Sequence, residues 1–242
     1  MKTESEGMRR LVEIIVGAVR ANAVPATVLW VVAICLVAGY RFVPGIASAL
    51  EPVAQWQMRN GWRAAFLTQL FFCGVVPGVF LVTVRSIRPR HPLVKASVQA
   101  VWCGGMGVAC WWFYGMQCRI FGDGRDVFTL LCKTMVDQFF WTVFFVSPLC
   151  SLFFAWLGCD FSFGKTMSIV RSGFVSRVVM PNLVANWSVW IPVVAIIYTF
   201  PLSLQVMVLG VVSSAWVLLS LQIGFITSHG KLIEPQDGNG KG

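Results

Sequence analysis

Charge is what this sequence has least of. Only 12% of its 242 residues are Asp, Glu, Lys or Arg, about half the share found in ordinary soluble domains. Too few charged side chains exist to give most of the chain a water-facing surface. Histidine is rarer still, with only His91 and His229. The eight cysteines (Cys35, Cys73, Cys103, Cys110, Cys118, Cys132, Cys150 and Cys159) form no CxxC pair. Zinc needs clustered ligands and disulfides need paired partners, so no metal and no cofactor is expected. The thiols read as small buried hydrophobes in a compartment that does not force oxidation. No Ser-His-Asp arrangement, no acid–base pair inside an apolar run and no glycine-rich phosphate loop is present; Gly122-Asp123-Gly124 reads as a turn. The expectation is that the protein is not an enzyme and has no catalytic residues.

What is abundant is apolar bulk. The chain is 57% hydrophobic and carries 11 Trp and 19 Phe. Several apolar runs reach or approach the roughly 20 residues that cross a bilayer. The reading is an all-α, polytopic transmembrane bundle with about six membrane segments (four to six), plus interfacial amphipathic helices. The spans fall near Val24–Tyr40, Ala64–Val84, Leu93–Phe113, Met135–Leu157, Leu183–Phe200 and Leu202–Thr227. Asn182, after Pro181, is a candidate cap for the fifth. Residues 1–23 form an N-terminal amphipathic segment, 24–227 one transmembrane domain, and 228–242 a disordered polar tail. Within Gly158–Pro181, Ile169, Val170, Phe174, Val178 and Val179 recur at helical spacing opposite Arg171 and Arg177, which predicts a second interfacial helix.

The formal net charge of +9 suggests nucleic acid only if the basic residues form one stripe. Here they lie between apolar runs, so topology and anionic headgroups explain them and no nucleic-acid partner is expected. With six spans, Arg41, Arg59, Arg63, Arg119, Arg125 and Lys133 lie on one side and the other thirteen basic residues on the opposite one. The positive-inside rule then places both termini on the cytoplasmic or equivalent face. The expected partner is the lipid bilayer, with a homo-oligomer allowed. The membrane is bacterial plasma membrane or an organelle membrane, mitochondrial inner or peroxisomal; no readable targeting signal decides between them.

Asp137 is the only acid inside the expected spans, followed by Gln138 and preceded four residues earlier by Lys133. A carboxylate in hydrocarbon faces the bundle interior, water or a partner. Two readings stand: a polar lining or gate, or an interfacial Asp that pairs with Lys133 and caps the fourth helix. Gly74 and Gly78, with Gly104 and Gly107, suit close packing of the second span on the third. Trp111-Trp112, Trp187 and Trp190 suit interface anchors. Gln69, Gln99, Gln205 and Gln222 suit hydrogen bonds between helices or a water path.

The second half resembles the Mpv and peroxisomal membrane protein family. Asp137-Gln138 matches its Asp-Gln pair. Asn186, Trp187, Trp190 and, one residue late, Pro192 match its Asn, aromatic and Trp-Pro pattern. Phe200-Pro201 partly matches the following Phe-x-x-Val-Pro, and Trp216 with Ser220 matches a later Trp and Leu-Ser. The likeness covers about Val98–Leu221. Departures fall near Val194, Ile197-Tyr198 and Gln205. The resemblance implies a multi-spanning helical protein, some members of which are described as non-selective or weakly cation-selective channels for small ions or solutes. A non-conducting membrane scaffold is the alternative.

Overall fold

The computed structural model describes residues 23–24, 26–84, 89–171, 173–175 and 179–233; the side chains of 181, 182, 184, 185 and 219–233 are not described. The expected N-terminal amphipathic segment therefore lies outside the described residues. Among the described residues the chain is all-helical, without a strand. We label the helices α1 (Ala26–Phe42), α2 (Ile46–Asn60), α3 (Trp62–Thr83), α4 (Pro92–Phe121), α5 (Val127–Gly158), α6 (Phe163–Arg171), α7 (Met180–Ile197) and α8 (Leu202–Ile233).

Three of these, α3, α4 and α5, are long and apolar enough to cross a membrane, and the bent pair α1 and α2 adds a fourth if it is one span. That is fewer than the six expected. The apolar parts of α7 and α8 with described side chains are shorter, Asn186–Ile197 and Leu202–Leu218.

Glycine sets the largest bend. Gly45 takes φ 97°, open to glycine at no steric cost, and α2 leaves α1 at 104°. Arg41–Arg63, expected as a polar connector, is mostly this helix. Its inward face carries Ala54 and Gln57, whereas Trp56, Met58 and Arg59 are exposed. Gly61 turns the chain again into α3.

The two helices that contain Pro77 and Pro148 widen just before them. Leu70–Val75 and Asp137–Val146 adopt i→i+5 turns, each ending two residues before its proline. Proline offers no N–H to the carbonyl four residues back and its ring pushes that carbonyl aside. A wider turn accommodates it. At Pro77 the released carbonyl is that of Cys73, and the Cys103 thiol donates to it at 3.4 Å.

Other boundaries differ from expectation. The fourth span starts at Val127, eight residues before Met135, because Asp126 caps it: its Oδ1 accepts from the Thr129 N–H at 3.0 Å. Asp137 thus lies a full ten residues inside the helix and caps nothing. Asn182 lies inside α7, which begins at Met180. Of the stretch predicted as a second interfacial helix, only Ile169, Val170 and Arg171 lie in α6, which starts earlier and stops at Arg171; residues 172 and 176–178 lie outside the described residues. The predicted polar tail is helical as far as Ile233.

Contacts give the helix directions. The Cβ that a side chain would add at Gly74 meets the Ala100 Cα at 2.3 Å, Gly78 faces Ala96, Gly104 faces Phe66 and Gly107 faces Gln69. These pairs run in opposite order, so α3 and α4 pack antiparallel. Gln69 donates to the Val206 carbonyl at 3.0 Å and Gly210 abuts Phe72, so α8 runs parallel to α3. Trp30 donates to the Val189 carbonyl at 3.1 Å and Tyr40 packs on Phe200 at 5.2 Å, so α1 runs parallel to α7. The core between α1, α4, α7 and α8 contains Leu29, Phe113, Val193, Ile197, Leu204 and Val212.

Candidate functional site

Three elements bring buried polar groups to one point. α5 supplies Lys133, Asp137 and Gln138; α4 supplies Gln117; Tyr198 closes α7. All five are within 4% of full burial. Both Asp137 carboxylate oxygens accept hydrogen bonds, Oδ2 from the Tyr198 hydroxyl at 2.7 Å and Oδ1 from Gln138 Nε2 at 2.9 Å. Gln117 Nε2 donates to the Tyr198 oxygen at 2.7 Å. Trp187 Nε1 donates to the Gln138 carbonyl at 2.9 Å. One chain of hydrogen bonds therefore joins α4, α7 and α5 through a single phenol.

Lys133 does not form the expected ion pair with Asp137. Its ammonium lies over the Tyr198 ring, 5.9 Å from the centroid, and no Lys133–Asp137 pair forms among the described residues. A cation over an aromatic face gains more when desolvated, about 2 kcal/mol. The Tyr114 ring meets Tyr198 edge-on at 5.3 Å, and Phe113 stacks on Trp141 at 4.4 Å. Three buried oxygens around this node have no partner: Gln117 Oε1, Thr134 Oγ1 and Gln138 Oε1.

A polar stripe leads from the node along α5. Thr134, Gln138, Thr142, Ser147 and Ser151 are all buried, whereas Phe139, Phe140, Phe144, Phe145, Leu149 and Leu152 on the same helix are exposed. The steps are four, four, five and four residues. The five-residue step falls where the i→i+5 turns hand over to Ser147 and Pro148, so the widened backbone keeps the hydroxyls on the inward face. From Thr134 to Ser151 the stripe is about 25 Å long, most of the roughly 30 Å hydrocarbon thickness.

The other expected residues fall in two groups. Trp187 and Trp190 are half-buried: Trp187 bonds to the node and Trp190 packs on the core. Trp216 also packs on the core. Trp111 and Trp112 are exposed. Asn186 is half-buried; Pro192 lies inside α7 and Pro201 in the turn to α8. Gln205 donates to the Phe200 carbonyl at 3.0 Å within that turn, so it ties the turn and not two helices. Gln222 and Ser220 have no described side chain. Tyr198 and Gln117 were not foreseen as site residues. A tyrosine in an apolar helix carries a hydroxyl that needs a partner, and Tyr198 is one of only three tyrosines.

Comparison with protein-family models, with curated proteins and with solved structures gave no match.

Proposed function

We propose that the protein is a small channel-like integral membrane protein of the Mpv and peroxisomal membrane protein kind, passing small ions or solutes with weak cation preference. The single observation that carries this reading is the buried stripe of α5 ending at Asp137. Hydroxyls and amides also serve interhelical packing, but a carboxylate beside them inside a membrane helix points to a polar path. Asp137 and Gln138 stand at one mouth and Lys133 over Tyr198 beside them. With both Asp137 oxygens engaged, the conformation described is the closed one. Opening requires Tyr198 to release the carboxylate. The antiparallel pairing of α3 with α4 and the parallel pairings of α3 with α8 and of α1 with α7 fit alternating passes with both termini on one side. The mouth then lies on the less basic side.

The scaffold reading has one specific observation in its favour: the Gln69, Cys73 and Gly210 contacts between α3 and α8 are fully partnered, as interhelical glue requires. Liposome flux separates the two. Ser147→Val with Ser151→Val should reduce the flux of small cations while the protein stays folded. Unchanged flux in that double variant removes the stripe from the path.

A further inference from the structure

We propose that the corner where α4 begins and α5 ends is a binding site for the phosphate of an anionic phospholipid headgroup, held in this conformation by the protein's own Asp160 carboxylate. The corner lies at the opposite end of the bundle from the node, and only the choice of lipid as the phosphate source rests on the membrane reading.

Lys95, in the first turn of α4, is 8% exposed. A lysine so buried is almost always paired. Its ammonium meets Asp160 Oδ1 at 2.6 Å, and the Asp160 side chain is itself 45% exposed, so the oxyanion position opens to the surface. Arg90 and His91 immediately precede the helix and are exposed. Lys95 thus pairs with the carboxylate directly, and Arg90 and His91 act on it by their charge alone. Lys95 first, by its hydrogen bond, then Arg90 and His91 by their charge, hold the Asp160 carboxyl below the usual range.

The carboxylate is delivered by a strained turn. Asp160 and Phe161 both have positive φ, 52° and 63°, a conformation that residues other than glycine rarely adopt in succession. Trp156 Nε1 fixes the turn by donating to the Phe161 carbonyl at 3.1 Å. Beyond it α6 puts Lys165 and Arg171 on an exposed side, while Phe163 at its start is exposed and apolar. An exposed aromatic with cations near it suits contact with lipid headgroups. Asp160 occupies the place that a phosphate oxygen takes when the lipid binds, and it leaves by relaxing the strained turn.

The test uses the full chain in neutral detergent and native mass spectrometry, with dioleoylphosphatidylglycerol, dioleoylphosphatidylcholine and inorganic phosphate as separate probes. Phosphatidylglycerol should bind in preference to phosphatidylcholine. Asp160→Asn should tighten it about fivefold, the factor given by losing one competing surface charge. Lys95→Gln and Arg90→Gln should weaken it. Asp137→Asn, at the far end, should leave it unchanged, so that failure here is separate from failure of the channel reading. If Lys95→Gln does not fold, Asp160→Asn and Arg90→Gln carry the test. Equal binding of the two lipids, or an unaltered affinity in Asp160→Asn, overturns the proposal. Binding of inorganic phosphate without preference between the lipids makes the ligand a free anion and overturns the lipid.

Discussion

Tyr198→Phe removes one oxygen and leaves the ring. The ring contact with Tyr114 and the position of the Lys133 ammonium over the face survive, so the loss reports on the hydroxyl alone. That hydroxyl serves two buried groups. It donates to Asp137 Oδ2 and accepts from Gln117 Nε2, both at 2.7 Å. A hydrogen bond to a charged group is worth about 1.5–3 kcal/mol, and an abandoned buried donor costs about 1–3 kcal/mol. Against this, interhelical hydrogen bonds averaged about 0.6 kcal/mol in one measured membrane protein, because the unfolded state in the bilayer finds partners too. The node should exceed that average, since one deletion strands two buried partners. The expected loss is about 2 kcal/mol, read by reversible unfolding in mixed detergent micelles. Asp137→Asn in the same background should be non-additive by about 1 kcal/mol or more, as for residues of one network. A Tyr198→Phe protein within about 0.5 kcal/mol of the parent, with additive effects, would refute the claim that this phenol joins the three helices.

Glycine substitutions should split by position. Gly74→Ala drives a methyl into the Ala100 backbone and should destabilise by about 1–3 kcal/mol, whereas Gly105→Ala meets nothing within 4 Å and should stabilise by about 0.5–1 kcal/mol; thermal unfolding in detergent reads both. Asp126→Ala removes the cap of α5 and should fray its first turn, seen as faster amide exchange over residues 127–130. Acid should act on the loops in one direction. Asp126 is lowered first by the hydrogen bond from the Thr129 backbone N–H and Asp160 first by that from the Lys95 ammonium. Carboxyls lowered on folding stabilise above the unfolded value of about 4 and lose that contribution as pH falls through the folded value. The amide protection factors at both helix ends, that is the exchange rates referred to the intrinsic rate at each pH, should therefore be constant from neutral pH down to about 5 and fall below about 4; a fall near neutral pH would contradict these assignments.

The apolar runs made the long helices legible, and Gly122 with its neighbours marked the turn between α4 and α5. Proline positions marked where helices distort, although only the structure shows that distortion as a widened turn before Pro77 and Pro148. The start of α5 was missed because Lys133 interrupts its apolar run. A lysine reads as interfacial until Tyr198 is found beneath it, and nothing in the chain order links residues 133 and 198. The same gap explains Trp187: an indole near a span end reads as a lipid anchor, and its partner, the Gln138 carbonyl, is 49 residues away. Helix α2 was hidden for a different reason. Ile46, Leu50, Val53 and Ala54 recur at helical spacing, but Glu51, Pro52, Gln55 and Arg59 among them keep the segment from reading as an apolar run. Periodicity tells which residues share a face, but not what that face meets.

Single-channel recording in planar bilayers, with the parent protein beside Asp137→Asn, tests the central claim most directly. The account predicts discrete openings in the parent and a reversal potential in the variant shifted toward lower cation preference. Silence from verifiably folded protein across voltage, pH and redox conditions, or an identical reversal potential in the two, would contradict it.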